Sequence, residues 1–105
     1  MKDYSSRNTL EGNLIKIENL YKSIFTEVDS TSIELGNKIV SINHEDSSNA
    51  DAASLEISEM DGGYTISYWG GYSLAEKIDE KELHQALKVF KRLAKKLAKN
   101  LQRFK

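Results

Sequence analysis

Two histidines, His44 and His84, are the only imidazoles in the chain. His44 is followed by Glu45, Asp46 and Asp51, and nitrogen and carboxylate donors of this kind do bind divalent metals. Their order, however, matches no coordination spacing, so residues 43–53 read as a solvated, mobile acidic loop. His84 has no spaced partner. No serine sits in a G-x-S-x-G turn with a base and an orienting acid. Glu56 and Glu59 are the nearest thing to paired carboxylates, and an odd separation on a strand sends them to opposite faces. Gly62-Gly63 and Gly70-Gly71 lie between strand-like runs and not at a strand-to-helix junction, where backbone amides cradle phosphate. Cysteine is absent, which excludes thiolate nucleophiles, sulfur-ligated zinc, iron–sulfur clusters and disulfides. The chain is therefore expected to be no enzyme and to carry no metal or cofactor.

Charge is the informative feature. Residues 1–80 hold 6 basic and 15 acidic side chains, a net of −9, whereas residues 81–105 hold 9 basic and 1 acidic, a net of +8. The overall charge of −1 is a cancellation between two unlike halves. Such asymmetry signals an oppositely charged partner, or neutralisation of one half by the other.

The elements that must carry these charges follow from hydrophobic period. Leu10, Leu14, Ile17, Tyr21, Ile24 and Val28 recur at helical spacing, which predicts an amphipathic helix over 6–27 with Ile15 pointing away from its apolar stripe. Alternation then predicts strands at about 31–35, 38–43, 53–59, 64–69 and 72–78. Gly36-Asn37 reads as a two-residue hairpin loop, setting Ile33 opposite Val40. Asp61-Gly62 reads the same way, setting Ile57 opposite Ile66 and Leu55 opposite Tyr68, with Glu56, Ser58, Thr65, Ser67 and Trp69 outward. A loop over 69–71 would bring Tyr72 and Leu74 to the buried face. Asp79 and Glu82 resemble a reciprocal capping pair, so the last helix is expected over 80–103.

That helix has Leu83, Ala86, Leu87, Phe90, Leu93, Ala94, Leu97, Leu101 and Phe104 on one side and a run of cations on the other. Leu83, Phe90, Leu97 and Phe104 are seven apart, so any overhang of the stripe would suit a homodimer. Packing against the first helix would bury it instead. The expected class is α+β: an N-terminal helix, an antiparallel meander of four to five strands and a long C-terminal amphipathic helix, both helices on one face of the sheet. With 105 residues, 39% of them hydrophobic, one domain with a single core is expected.

Two surfaces remain for function. Glu34, Glu45, Asp46, Asp51, Glu56, Glu59, Asp61 and Trp69 suggest an acidic sheet and loop that cover a basic protein partner, as an inhibitor or an immunity or anti-defence regulator does. Lys88, Lys91, Arg92, Lys95, Lys96 and Lys99 suggest nucleic-acid binding through the last helix. The heptad stripe suggests a helix-mediated homo-oligomer as the third reading. The N-terminus lacks a secretory pattern and no run reaches membrane-spanning length, so a cytoplasmic protein is expected.

Overall fold

The computed structural model describes residues 9–26, 28, 31–44, 53–70 and 74–103. A short 3-10 turn, Glu11–Asn13, leads into helix α1, Leu14–Ile24. Thr9 sets the turn, its Oγ1 accepting from Gly12 N at 3.1 Å and its carbonyl from Asn13 Nδ2 at 2.8 Å. Five strands follow: β1 Thr31–Leu35, β2 Ile39–His44, β3 Ser54–Met60, β4 Gly63–Trp69 and β5 Leu74–Glu80. Helix α2 runs over Leu83–Arg103. The strands form one antiparallel meander in the order β1-β2-β3-β4-β5. The fold is α+β, as expected.

One face of the sheet is apolar and covered. Val40, Ile42, Leu55, Ile57, Ile66 and Tyr68 meet Leu10, Ile17 and Phe25 from the α1 region and Leu83, Ala86, Phe90, Leu93, Ala94 and Leu97 from α2 in a single cluster. α2 lies over β3, β4 and β5, and α1 lies beside α2 and against β1. Tyr21 links α1 to β1 through its hydroxyl, 2.9 Å from Thr31 Oγ1, and stacks on Phe25 with ring centroids 5.1 Å apart. Leu87 and Leu101 also pack on the core. The described part of the heptad stripe is thus spent inside the chain; Phe104 lies outside the described residues. Ile15 is 76% exposed, the misfit its phase implies.

The β3–β4 hairpin has the expected register, with Met60 paired to Gly63 and Ile57 to Ile66. The β1–β2 hairpin does not. Ile33 pairs with Ile42 and Leu35 with Val40, because the two-residue loop is Asn37-Lys38, closed by Gly36 N donating to Ile39 O at 2.9 Å. The slip is two residues, so the same side chains stay on the same face.

Four further expectations are corrected. Leu74 pairs with Trp69 beside a bulge at Tyr68/Trp69 and faces outward, 44% exposed; Tyr72 lies outside the described residues. Asp79 belongs to β5 and accepts from Thr65 Oγ1 at 2.8 Å, so it caps no helix. α2 starts three residues later than expected, its first turn closed by Ala86 N donating to Glu82 O at 2.9 Å. α1 is shorter than 6–27, because the 3-10 turn through Gly12 replaces its first turns and Phe25 ends it.

Candidate functional site

The acidic residues do not form one surface. Glu34 and Glu56 share an outward cross-strand row, Glu34 opposite Ser41 and Ser41 opposite Glu56. Trp69 lies outward at the end of the neighbouring row, Ser32, Asn43 and Ser54, and is paired to Leu74. Asp61 is at the tip of the β3–β4 turn. Glu59, by contrast, points to the helix side. Its Oε1 accepts from the buried Leu10 N at 2.9 Å, and its Oε2 lies 3.9 Å from Lys38 Nζ. It therefore fastens the start of the helical layer to β3. Burial pushes the neighbouring Tyr64 hydroxyl above its ordinary pKa, and the Glu59 charge adds to that rise. Glu45, Asp46 and Asp51 lie outside the described residues.

The basic residues are brought together. At 100° of rotation per residue, the buried side of α2 is centred between Phe90 and Leu97, and Lys88, Lys91, Lys95 and Lys99 fall on the opposite, exposed side. They make one line about 16 Å long from Lys88 to Lys99. Arg92 and Lys96 flank it toward β5. No Asp or Glu occurs between Leu83 and Arg103, so the helix supplies none of the i,i+4 acid–base pairs that stabilise exposed helices. Instead Lys88–Arg92, Lys91–Lys95, Arg92–Lys96 and Lys95–Lys99 are like-charge pairs at that spacing, each costing roughly 0.2–0.5 kcal/mol.

Among the described residues, the ion pairs of α2 converge on Glu76. Lys96 Nζ is 2.7 Å from Glu76 Oε2 and Arg92 Nη2 is 3.6 Å from Oε1. The hydrogen bond from Lys96 holds the Glu76 carboxyl below its ordinary pKa, against a weaker desolvation, and the charges of Lys96 and Arg92 lower it further. Lys96 Nζ also sits 5.6 Å from the centre of the Tyr68 ring, and Asn100 Nδ2 donates to the Tyr68 hydroxyl at 2.8 Å. A polar clamp thus joins α2 to β4 and β5. Sequence reasoning missed Glu76, Tyr68 and Asn100 as partners; the signal for Glu76 was Ile78, which shares its face two residues on.

The other features offer less chemistry. A depression of about 450 Å³ near the β3–β4 turn is lined by Met60, Asp61, Thr65, Lys77 and Asp79, with Thr65 and Asp79 already bonded to each other. Among the described residues no three His, Asp or Glu side chains converge as a metal site would require. His44 ends β2 opposite Thr31 and His84 is exposed on α2, so they belong to separate elements. No helix among the described residues is long and apolar enough to cross a membrane. Comparison with protein families, with curated proteins and with solved structures finds no match for the chain.

Proposed function

We propose that the protein is a non-catalytic binding module that holds the phosphate backbone of nucleic acid against the lysine line of α2. The observation that carries this reading is Lys88, Lys91, Lys95 and Lys99 aligned on the exposed side of a helix with no acid of its own. Such a line costs stability in the free protein and gains it back when phosphates replace released counterions. An anionic bilayer suits the helix less well. Interfacial helices insert an apolar side, and here Leu83, Phe90, Leu93 and Leu97 are committed to the core, each no more than 6% exposed. We place the protein in the cytoplasm, where nucleic acid is the abundant polyanion.

Phosphodiester chemistry is common to DNA and RNA, so gel shifts with duplex DNA, duplex RNA and single-stranded DNA of equal length and random sequence identify the source. Four phosphate contacts predict that affinity for the preferred duplex falls about 150-fold between roughly 50 and 200 mM salt. Changing Lys88, Lys91, Lys95 and Lys99 together to Gln should abolish the shift while leaving the circular dichroism spectrum intact. Unchanged affinity in that variant refutes the reading.

A second reading is supported by the uncovered sheet face. Trp69, 36% exposed, pairs with Leu74, 44% exposed, and Glu56 and Glu34 lie on the same face. An aromatic anchor beside carboxylates fits a basic protein partner of the inhibitor, immunity or anti-defence type. Trp69→Ala with Glu56→Ala should then abolish capture of that partner, and the lysine variant should not.

A further inference from the structure

We propose that Glu76 is a built-in competitor for the ligand: its carboxylate fills an anion site formed by Lys96 and Arg92, and so withholds two cations from the phosphate-binding line. The inference rests on the proposed nucleic-acid reading and adds to it a second phosphate position and the residue that guards it.

The geometry carries the argument. A carboxylate 2.7 Å from the Lys96 ammonium and 3.6 Å from the Arg92 guanidinium stands where a phosphate would accept from the same two donors. The site is built and not incidental. Lys96 is held over the Tyr68 ring, whose hydroxyl is fixed by Asn100. Tyr68 is paired with Glu76 across β4 and β5, next to the bulge. Glu76 itself keeps a side-chain exposure of 27% and leaves Lys96 at 49% and Arg92 at 57%, so a backbone phosphate can reach both cations once the carboxylate is displaced. Lys88, Lys91, Lys95 and Lys99 have no such internal acceptor among the described residues. The free protein therefore presents four cations in line and keeps two in reserve.

Counterion release turns this difference into a number. With four phosphate contacts on duplex DNA, log affinity should fall against log salt with a slope of about −3.6, and with six, about −5.4. The experiment is a salt titration of binding to a random-sequence DNA duplex by the wild type, by Glu76→Gln and by Glu18→Gln. Glu18 pairs with Lys22 on α1 at 3.8 Å, so its variant makes the same change in net charge without freeing a cation of α2. The expected result is a slope near four contacts for the wild type and for Glu18→Gln, and a steeper slope with tighter binding at low salt for Glu76→Gln. Should Glu76→Gln lose its helical circular dichroism, the test passes to Arg92→Gln with Lys96→Gln in the wild-type background. That pair should leave the slope near −3.6, because neither cation is in use, and a drop in slope overturns the proposal. A wild-type slope already near −5.4 that Glu76→Gln leaves unchanged also overturns it, while the proposed function stands. No wild-type binding at any salt concentration overturns the proposed function itself, and this inference with it.

Discussion

Lys96 of α2 donates to Glu76 of β5 across 2.7 Å, joining the most basic element of the chain to the acidic sheet. Among the described residues, the two halves of opposite charge therefore meet in ion pairs at this point alone, through one carboxylate, which Arg92 also approaches. Most of the basic surface is left to solvent.

The clamp makes stability depend on acid. The folded-state pKa of Glu76 is lowered, chiefly by the hydrogen bond from Lys96. Its contribution is present above the ordinary glutamate pKa and is lost as pH falls through the lowered folded value. Urea midpoints measured from pH 7 down to about pH 3 should fall more for the wild type than for Glu76→Gln, and parallel curves would contradict the pairing.

The lysine line should cost stability. Lys91→Gln with Lys95→Gln removes repulsion at i,i+4 and is expected to raise stability by roughly 0.5 kcal/mol while weakening binding. Thermal melts at low and high salt check this, because the gain should shrink as salt screens the helix. A lower melting temperature at low salt would show that these lysines support the fold instead.

Phe90 is fully buried in the core cluster, so Phe90→Ala should cost about 3–5 kcal/mol in denaturant unfolding. A cost below about 1 kcal/mol would mean that α2 does not lie on the sheet through this side chain.

At the β3–β4 turn, Gly62 takes φ +86°, and an added Cβ at Gly63 would stand 2.6 Å from Glu80 O. Gly62→Ala should cost about 1 kcal/mol through backbone strain, whereas Gly63→Ala should cost more, since the obstructing atom is backbone of β5. Equal stability of Gly63→Ala and wild type would contradict the close approach of the two strands.

How much of this was legible in the sequence depended on whether the deciding interaction was local. The β3–β4 register could be read to the residue because Asp61-Gly62 fixes its own loop length, and Ile57 and Ile66 then meet. Gly36-Asn37 suggests a wrong register, since a glycine and an asparagine do not say whether the two loop residues are 36–37 or 37–38, and period two hides the slip. The start of α2 is hidden in the sequence for a different reason. Asp79 has the type and spacing of a cap, but it is engaged by Thr65 of the adjacent strand, 14 residues away in sequence. For the candidate site, residue type and helical period were enough to place Lys88, Lys91, Lys95 and Lys99 on one side. Alternation with Ile78 puts Glu76 on the helix side, but its role depends on Lys96, 20 residues away in sequence, which no local pattern pairs with it. Residue type alone groups Glu59 with the outward acids, whereas alternation sends it inward, where it accepts from Leu10.

The most direct test of the central claim is a lysine-reactivity footprint of the wild type with and without a saturating random-sequence DNA duplex at low salt. Protection of Lys88, Lys91, Lys95 and Lys99, with Lys22, Lys38 and Lys77 left reactive, is the result this account predicts. Protection spread evenly over all of these lysines, or centred on Lys77 of the open sheet face, would contradict it.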